Sequence, residues 1–379
     1  MRRWLVLGGA VFLVLFIVGV FFYTTVYRMP VSRVTNFFQK LADKADKVGQ
    51  SQEEKNEQKK ETMRHNITEA INQGLTFIGK GQQQDGSFIF YDCTDSEKQS
   101  CNKFTSSGIT AAITLMINIL EDKRAEEITS HAISYVKKDS KIISEGNKSH
   151  SAWKIISENP QNIPMPLSLK DTAIISILLL QNKVSFPSDI TVLDKYKNSM
   201  GLYYSWADNK ANKVDQQKYS ELGEKYAGID CITNAYMLSY LSLKNIESTD
   251  ICQYITNVIE KKLYPACMAG NTETAGFFVP VASTRPACVQ DSLFLITEEL
   301  KTYQYKNLFG EILGTFALVE LGYDDPEMEK KIASILNSQL SDGGFPDVSV
   351  DPGNDYHYVQ SRELVTAAAL RTLAAYSRR

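Results

Sequence analysis

The chain writes one seven-residue turn twice. Gln82-Gln83-Gln84-Asp85-Gly86-Ser87-Phe88 recurs as Gln339-Leu340-Ser341-Asp342-Gly343-Gly344-Phe345, 257 positions later. Each copy leads through an irregular stretch to a small-residue helix start, Thr110-Ala111-Ala112-Ile113 and Thr366-Ala367-Ala368-Ala369. Gly86 to Thr110 is 24 positions and Gly343 to Thr366 is 23. A recurring unit of helix, turn, loop and helix implies a repeat architecture, in which each unit buries its apolar face against its neighbours. This constrains the fold far more than it constrains the chemistry.

Helical periodicity covers most of the chain after residue 62. One set of predicted helices is rich in small and apolar residues on all sides: 105–120, 168–181, 229–243, 308–321 and 361–376. The other set is amphipathic: 63–79, 125–138, 189–198, 249–263 and 326–340. A helix apolar all round is buried, and an amphipathic one lies at a surface. Alternation of the two classes predicts an all-α fold, an α/α toroid with an inner ring inside an outer ring. A third, weaker turn, Met200-Gly201-Leu202-Tyr203-Tyr204-Ser205-Trp206, also joins an outer helix to an inner one. Residues 271–305 carry no clear pattern, and 292–305 fits helix and extended chain equally. The ring therefore has five or six hairpins.

Residues 4–26 form an uncharged, almost wholly apolar run of 23 residues. That is long enough to span a bilayer core of roughly 30 Å as a helix. It exceeds the usual apolar region of a cleaved signal peptide, about 7–15 residues, and lacks an Ala-x-Ala-like site. The expectation is a membrane anchor over residues 1–28, a polar stalk over 29–62, helical in parts and partly disordered, and the toroid over 63–379. The short basic leader suits the inside, which places the large domain outside the cytoplasm. A net charge of −3 with no dense basic tract excludes a nucleic-acid partner.

Six cysteines are present. Cys93 and Cys101 bracket a polar loop, and Cys267 and Cys288 bracket a longer one, so these pairs are expected as disulfides of an oxidising compartment. Cys231 and Cys252 fall near the starts of two successive helices, at opposite ends of an antiparallel hairpin. One or both are expected to be free and buried.

The Gln-x-x-Asp-Gly-(Ser/Gly)-Phe turns resemble the repeat of the squalene cyclase and prenyltransferase superfamily. Ser168-Leu169-Lys170-Asp171-Thr172-Ala173 is similar to that family's inner-helix start, and Gly228-Ile229-Asp230-Cys231-Ile232-Thr233 is a looser match. The resemblance covers roughly residues 63–379 and implies the terpenoid cyclase-like toroid. The catalytic signatures depart from it. No Asp-x-Asp-Asp quartet, the alkene-protonating motif of the family's cyclases, occurs in the sequence. The zinc set of the prenyltransferases is incomplete: Asp355-Tyr356-His357 resembles its histidine segment, but the one Asp-x-Cys, Asp250-Ile251-Cys252, falls on an outer helix. No metal or other cofactor is expected. The Cys-Gly-Glu-Gln of thioester toroids is missing as well.

In such a ring all inner helices run the same way, so their N-termini meet at one mouth with unpaired N–H groups and partial positive charge. Ser106, Ser107, Asp171, Asp230, Glu311, Arg362 and Glu363 lie at those starts. Tyr203, Tyr204, Trp206, Asp347, Asp355 and His357 lie on the loops around them. Asp171, Asp230, Glu311 and His357 are the catalytic candidates; Ser106, Ser107, Tyr203, Tyr204, Trp206, Asp355, Arg362 and Glu363 are the ligand-binding candidates. Asp171 and Asp230 also fit plain N-caps, and the aromatics fit packing between repeats. Glu311, in an apolar helix, needs a partner, for which Arg362 and Lys306 are candidates. Three functions follow. The first is a membrane-anchored module holding an extended ligand or partner at the mouth, be it glycan, isoprenoid or protein. The second is a polysaccharide-acting hydrolase or lyase, and the third a divergent terpenoid cyclase or prenyl-transfer enzyme.

Overall fold

A computed structural model describes residues 31–93, 101–157, 166–208, 212, 229–263, 274–305, 307–347 and 358–379. The chain divides into two units, Met1–His65 and Asn66–Arg379. The apolar run 4–26 lies outside the described residues, and no helix among those described is long and apolar enough to cross a membrane.

Residues 31–81 form one helix, α1 (Val31–Gly81). The partly disordered stalk expected over 29–62 is thus helical from Val31 onward. The stretch contains no proline and is rich in Glu, Lys and Gln, all good helix formers. It ends at the glycines that close the first amphipathic segment.

Five inner helices begin where a short polar side chain can accept from the first free backbone N–H groups. They are α2 (Ser107–Ile117), α4 (Leu169–Gln181), α5 (Cys231–Leu243), α9 (Leu308–Glu320) and α11 (Arg362–Ser377). Their caps are Ser106, Ser168, Asp230, Asn307 and Ser361. A sixth inner helix, α7 (Thr274–Thr284), falls in the segment whose sequence pattern is unclear, because Pro280 interrupts its interior. Around the ring α2 packs on α4, α4 on α5, α5 on α7, α7 on α9, α9 on α11, and α11 back on α2. The ring therefore closes with six hairpins.

Outside it lie the end of α1, α3 (Lys123–Lys138), α6 (Thr249–Glu260), α8 (Leu293–Thr302) and α10 (Pro326–Asn337). The outer helix expected over 189–198 is a 3-10 helix, Ile190–Tyr196, started by Asp189. The ambiguous 292–305 is largely helix α8.

The fold is not purely helical. β1 (Ile89–Cys93), β2 (Cys101–Thr105) and β6 (Tyr358–Gln360) form one sheet in the order β2-β1-β6. The antiparallel β1–β6 pair, with Tyr91 opposite Gln360, ties the loop after the first turn to the loop before the last helix. β3 (Lys141–Glu145), β4 (Lys148–Lys154) and β5 (Leu167–Ser168) form the other sheet. Trp153, at the end of β4, is fully buried in a core with Val136, Ile175 and Leu178. Its indole N–H donates to the Val136 carbonyl at 2.6 Å.

The repeated turns are alike atom for atom. Gly86 and Gly343 have φ of +92° and +87°, a region that side-chain-bearing residues avoid. Asp85 accepts from the Ser87 N–H and Asp342 from the Gly344 N–H. Phe88 and Phe345 are fully buried, and their N–H groups donate to Thr110 Oγ1 and Thr366 Oγ1 at 3.1 and 3.0 Å. In the third copy Gly201 has φ +76°, and Asn234 takes the threonine's part, accepting from the Tyr203 N–H at 3.0 Å. In the second hairpin Ser151, not glycine, stands two residues before the aromatic, yet the Trp153 N–H reaches Thr172 Oγ1 at 3.3 Å.

Cys93 and Cys101 are bonded across the β1–β2 hairpin, as expected. The Cys267–Cys288 pair is not: Cys288 is bonded to Cys252. The segment before Cys288 is not a simple loop but contains α7, whose 11 residues span about 16 Å. Cys288 instead sits on a 3-10 turn, Ala287–Ser292, packed against α6 beside Cys252. Cys231 is disulfide-bonded too, so neither it nor Cys252 is free; Cys267 lies outside the described residues.

Candidate ligand cavity

The six inner helices enclose a cavity. Counted from the first residue of each helix, its wall takes the sixth residue of five of them: Ala112, Ile174, Tyr236, Val279 and Leu313. The last helix, α11, gives its seventh, Ala368. One turn further on come Leu115, Ile177, Ser239, Ser283, Phe316 and Arg371. Residues three apart share a helix face, so each helix lends one stripe and the stripes line up because the helices run parallel. Counting the part open to solvent the space is about 680 Å³, of which only about 90 Å³ admits the centre of a water molecule. It is therefore narrow. Met116, Gln181, Pro280 and Thr284 complete the lining, and Gln181 and Ser283, in the last turns of α4 and α7, are exposed. The cavity thus lies in the middle and C-terminal part of the ring.

Two of its hydroxyls are already used. The Ser239 hydroxyl donates to the Pro280 carbonyl at 3.0 Å, and Thr284 Oγ1 donates to the same oxygen at 2.8 Å. Arg371 differs. Its Nη1 donates to the Leu115 carbonyl at 3.2 Å, its guanidinium sits 5.2 Å from the centre of the Phe316 ring, and Nη2 is 4.0 Å from Glu320. Burial pulls its pKa below the usual arginine value, against the opposing pull of Glu320. No Asp or Glu among the described residues lines the cavity.

None of the described residues singled out from sequence lines it either. They cluster at the N-terminal ends, where structural duties occupy them. Ser106 caps α2. Ser107 is fully buried and donates to Asp139 at 2.6 Å, as does Ser157 at 2.7 Å. Asp230 is the cap of α5, accepting from the Ile232 and Thr233 N–H groups and the Thr233 hydroxyl. Asp171 is not the cap of α4; Ser168 is, and Asp171 stands three residues on, as in a capping box. It is wholly buried against Gly108, and that burial raises its pKa. Glu311, partly exposed, lies near Tyr305. Arg362 is not its partner: it binds Asp342 at 2.9 Å and the Phe345 carbonyl at 3.1 Å, and covers the Phe77 ring. Glu363 is half-buried beside Gly81; desolvation raises its pKa, with nearby Asp347 adding to the effect.

Tyr203 is fully buried, its hydroxyl donating to Asp194 at 3.3 Å. Tyr204 and Trp206 are part-buried, and their backbones bond Tyr196 and Asn212. Asp355, His357 and Lys306 lie outside the described residues. No group of three or more His, Cys, Asp or Glu suited to a metal occurs among the described residues. Cys252 of the Asp-x-Cys sequence is consumed by its disulfide.

No family model matches the chain, and no curated protein does. Solved structures do match. The type II terpene cyclase MstE from Scytonema, a variant in complex with the product merosterolic acid A, aligns with a TM-score of 0.59 at 13% identity, covering 84% of this chain and 99% of that one. Its apo form gives 0.58, at 13% identity over 83% and 99%. A variant in complex with the substrate geranylgeranyl dihydroxybenzoate gives 0.60, at 13% identity over 84% and 99%. The chain therefore has a terpenoid cyclase-like fold, the class its turns resemble. At this identity the likeness concerns the fold alone.

Proposed function

We propose that the chain binds an apolar, isoprenoid-class ligand in the central cavity of its ring. The observation that carries this reading is the narrow cavity walled by one stripe from each of the six inner helices. Its lining has the mix of apolar wall and few polar groups common to small-molecule sites. The fold supports an isoprenoid, since the similar cyclase is seen with a geranylgeranyl compound. Binding is favoured over cyclisation because the sequence lacks Asp-x-Asp-Asp and no described carboxylate faces the cavity. The polysaccharide reading loses ground, since Tyr203 is buried and Asp230 is committed to its cap. The apolar run 4–26 and the disulfides support an anchored protein acting outside the cytoplasm.

Titration calorimetry with geranylgeraniol tests the cavity. The wild-type chain should bind it, and Leu313→Trp, which fills the cavity, should weaken binding at least about tenfold, the scale of 1.4 kcal/mol of lost contact. Unchanged affinity in that variant would place the ligand elsewhere. Conversion of a geranylgeranyl compound to a cyclised product, seen by mass spectrometry, would replace binding by catalysis. Deleting residues 1–30 should release the chain from the membrane fraction.

A further inference from the structure

We propose that Arg371 receives the anionic head of an amphiphilic ligand, a carboxylate or phosphate, while the apolar tail fills the cavity. The inference rests on the cavity reading above and adds the ligand's polarity. Arg371 lies on the same stripe of α11 as Ala368, inside an otherwise mostly apolar wall. A guanidinium carries five N–H donors in a planar fork. Here one bonds the Leu115 carbonyl, while Nε–H is buried with no acceptor. Glu320 stands 4.0 Å from Nη2, well beyond the 2.7–2.9 Å or so of a charge-assisted bond. A mostly buried charge, its side chain 18% exposed, is costly when so weakly paired, and the fork suits carboxylate and phosphate oxygens.

The alternative is a purely structural arginine that closes the ring, since Leu115 is near the end of α2, where carbonyls lack helical partners. That role uses one donor and leaves Nε unexplained. The helix ends near this mouth are served by other arginines as well: Arg378 reaches the Ile119 carbonyl and Arg379 the Tyr323 carbonyl. Arg378 also adds positive charge near Arg371.

The test compares three probes on the full chain by calorimetry: geranylgeraniol, geranylgeranoic acid and geranylgeranyl monophosphate. The acid or the phosphate should bind about 10–100-fold tighter than the alcohol, the range of hydrogen bonds to a charged group. Whichever is tighter identifies the head group. Arg371→Met should erase that preference, and Arg371→Lys should keep part of it. Because Arg371→Met also removes a ring contact, Glu320→Gln provides a second reading: removing the competing carboxylate should tighten the anions and leave the alcohol unchanged. Equal binding of alcohol and anions by the wild-type chain would overturn the role of Arg371 and leave the cavity reading standing. So would a preference that survives Arg371→Met or ignores Glu320→Gln. Binding of none of the probes would overturn both.

Discussion

Gln339 Nε2 donates to the carbonyl of Ala70 at 2.9 Å, across 269 positions of sequence. The same amide bonds the Gly343 carbonyl of its own turn at 2.8 Å. Gln82 does the same in the first turn, reaching the Gly86 carbonyl at 3.0 Å and the Ile128 carbonyl at 2.9 Å. One side chain thus joins the first hairpin to the second and the last hairpin to the first. The closing contact of the ring is chemically the same as a contact between successive repeats. Replacing Gln339 by Leu leaves two part-buried carbonyls without this donor, which costs about 1–3 kcal/mol. Gln82→Leu should cost a similar amount. Urea unfolding of the two variants checks the equivalence; a closing contact much weaker than its internal twin would show as a markedly smaller loss for Gln339→Leu.

Gly343 carries a second constraint. Its φ is +87°, and a Cβ there would meet the Gln73 carbonyl oxygen at 2.5 Å. Gly146, in the β3–β4 turn, has φ +60° but nothing within 4 Å. Gly146→Ala should therefore cost only the left-handed backbone penalty, roughly 1–2 kcal/mol. Gly343→Ala adds a clash with backbone and should lose clearly more, as should Gly86→Ala, whose Cβ would meet the His131 carbonyl oxygen. Melting temperatures of the three variants decide it. Equal losses would mean the outer helix moves aside freely.

The turn motif and the two helix classes were legible because each rests on local physics: a glycine at positive φ, a capping side chain, an apolar or amphipathic pattern. The sixth hairpin was not legible, since Pro280 breaks the helical pattern of α7. Nor was the β3–β4 hairpin, where Trp153 replaces the turn's phenylalanine without its glycine. The cavity was hidden for a different reason. In α4 the face toward the cavity and the faces toward neighbouring helices are all apolar, so Ile174 and Ile177 look like Ile175 and Leu178 in sequence. The one signal that could have been found was Arg371, a charge in the middle of an otherwise small and apolar helix. The polar residues at the N-terminal starts drew attention because caps and sites use the same side chains. Asp230, with three bonds to its own helix, shows which use prevails there.

The two described disulfides should differ in worth. Cys93–Cys101 closes a separation of 8 residues and Cys252–Cys288 one of 36. Chain-entropy arguments give about 2.5 kcal/mol for the first and about 4 kcal/mol for the second. Cys252→Ser with Cys288→Ser should therefore lower the urea midpoint more than Cys93→Ser with Cys101→Ser. The opposite order would show that the β1–β2 hairpin contributes through its sheet contact with β6 rather than through loop length.

Two buried titratable groups should tilt stability with pH in opposite directions. His150 is fully buried, between the Ser151 carbonyl and the Tyr240 hydroxyl. Burial, aided by nearby Lys244, lowers its pKa from 6.5 to about 4. Between those values the unfolded chain holds the extra proton and the folded chain does not, so stability falls as pH drops through the window. The full loss approaches roughly 3 kcal/mol, at 1.36 kcal/mol per unit. Asp171 has the opposite sign. Burial raises its pKa above 3.8, so the folded chain keeps a proton that the unfolded chain has lost, and stability declines as pH rises through that interval. His150→Gln should flatten the fall in melting temperature between pH 6.5 and 4 while leaving pH 7 to 8 parallel to wild type. Asp171→Asn should raise the melting temperature at pH 7 and converge with wild type near pH 3, where both side chains are neutral. Melting curves of the three proteins across pH 3–8 measure both effects. An Asp171→Asn variant less stable than wild type at pH 7 would mean that the carboxylate is ionised and stabilises the start of α4, contrary to its burial.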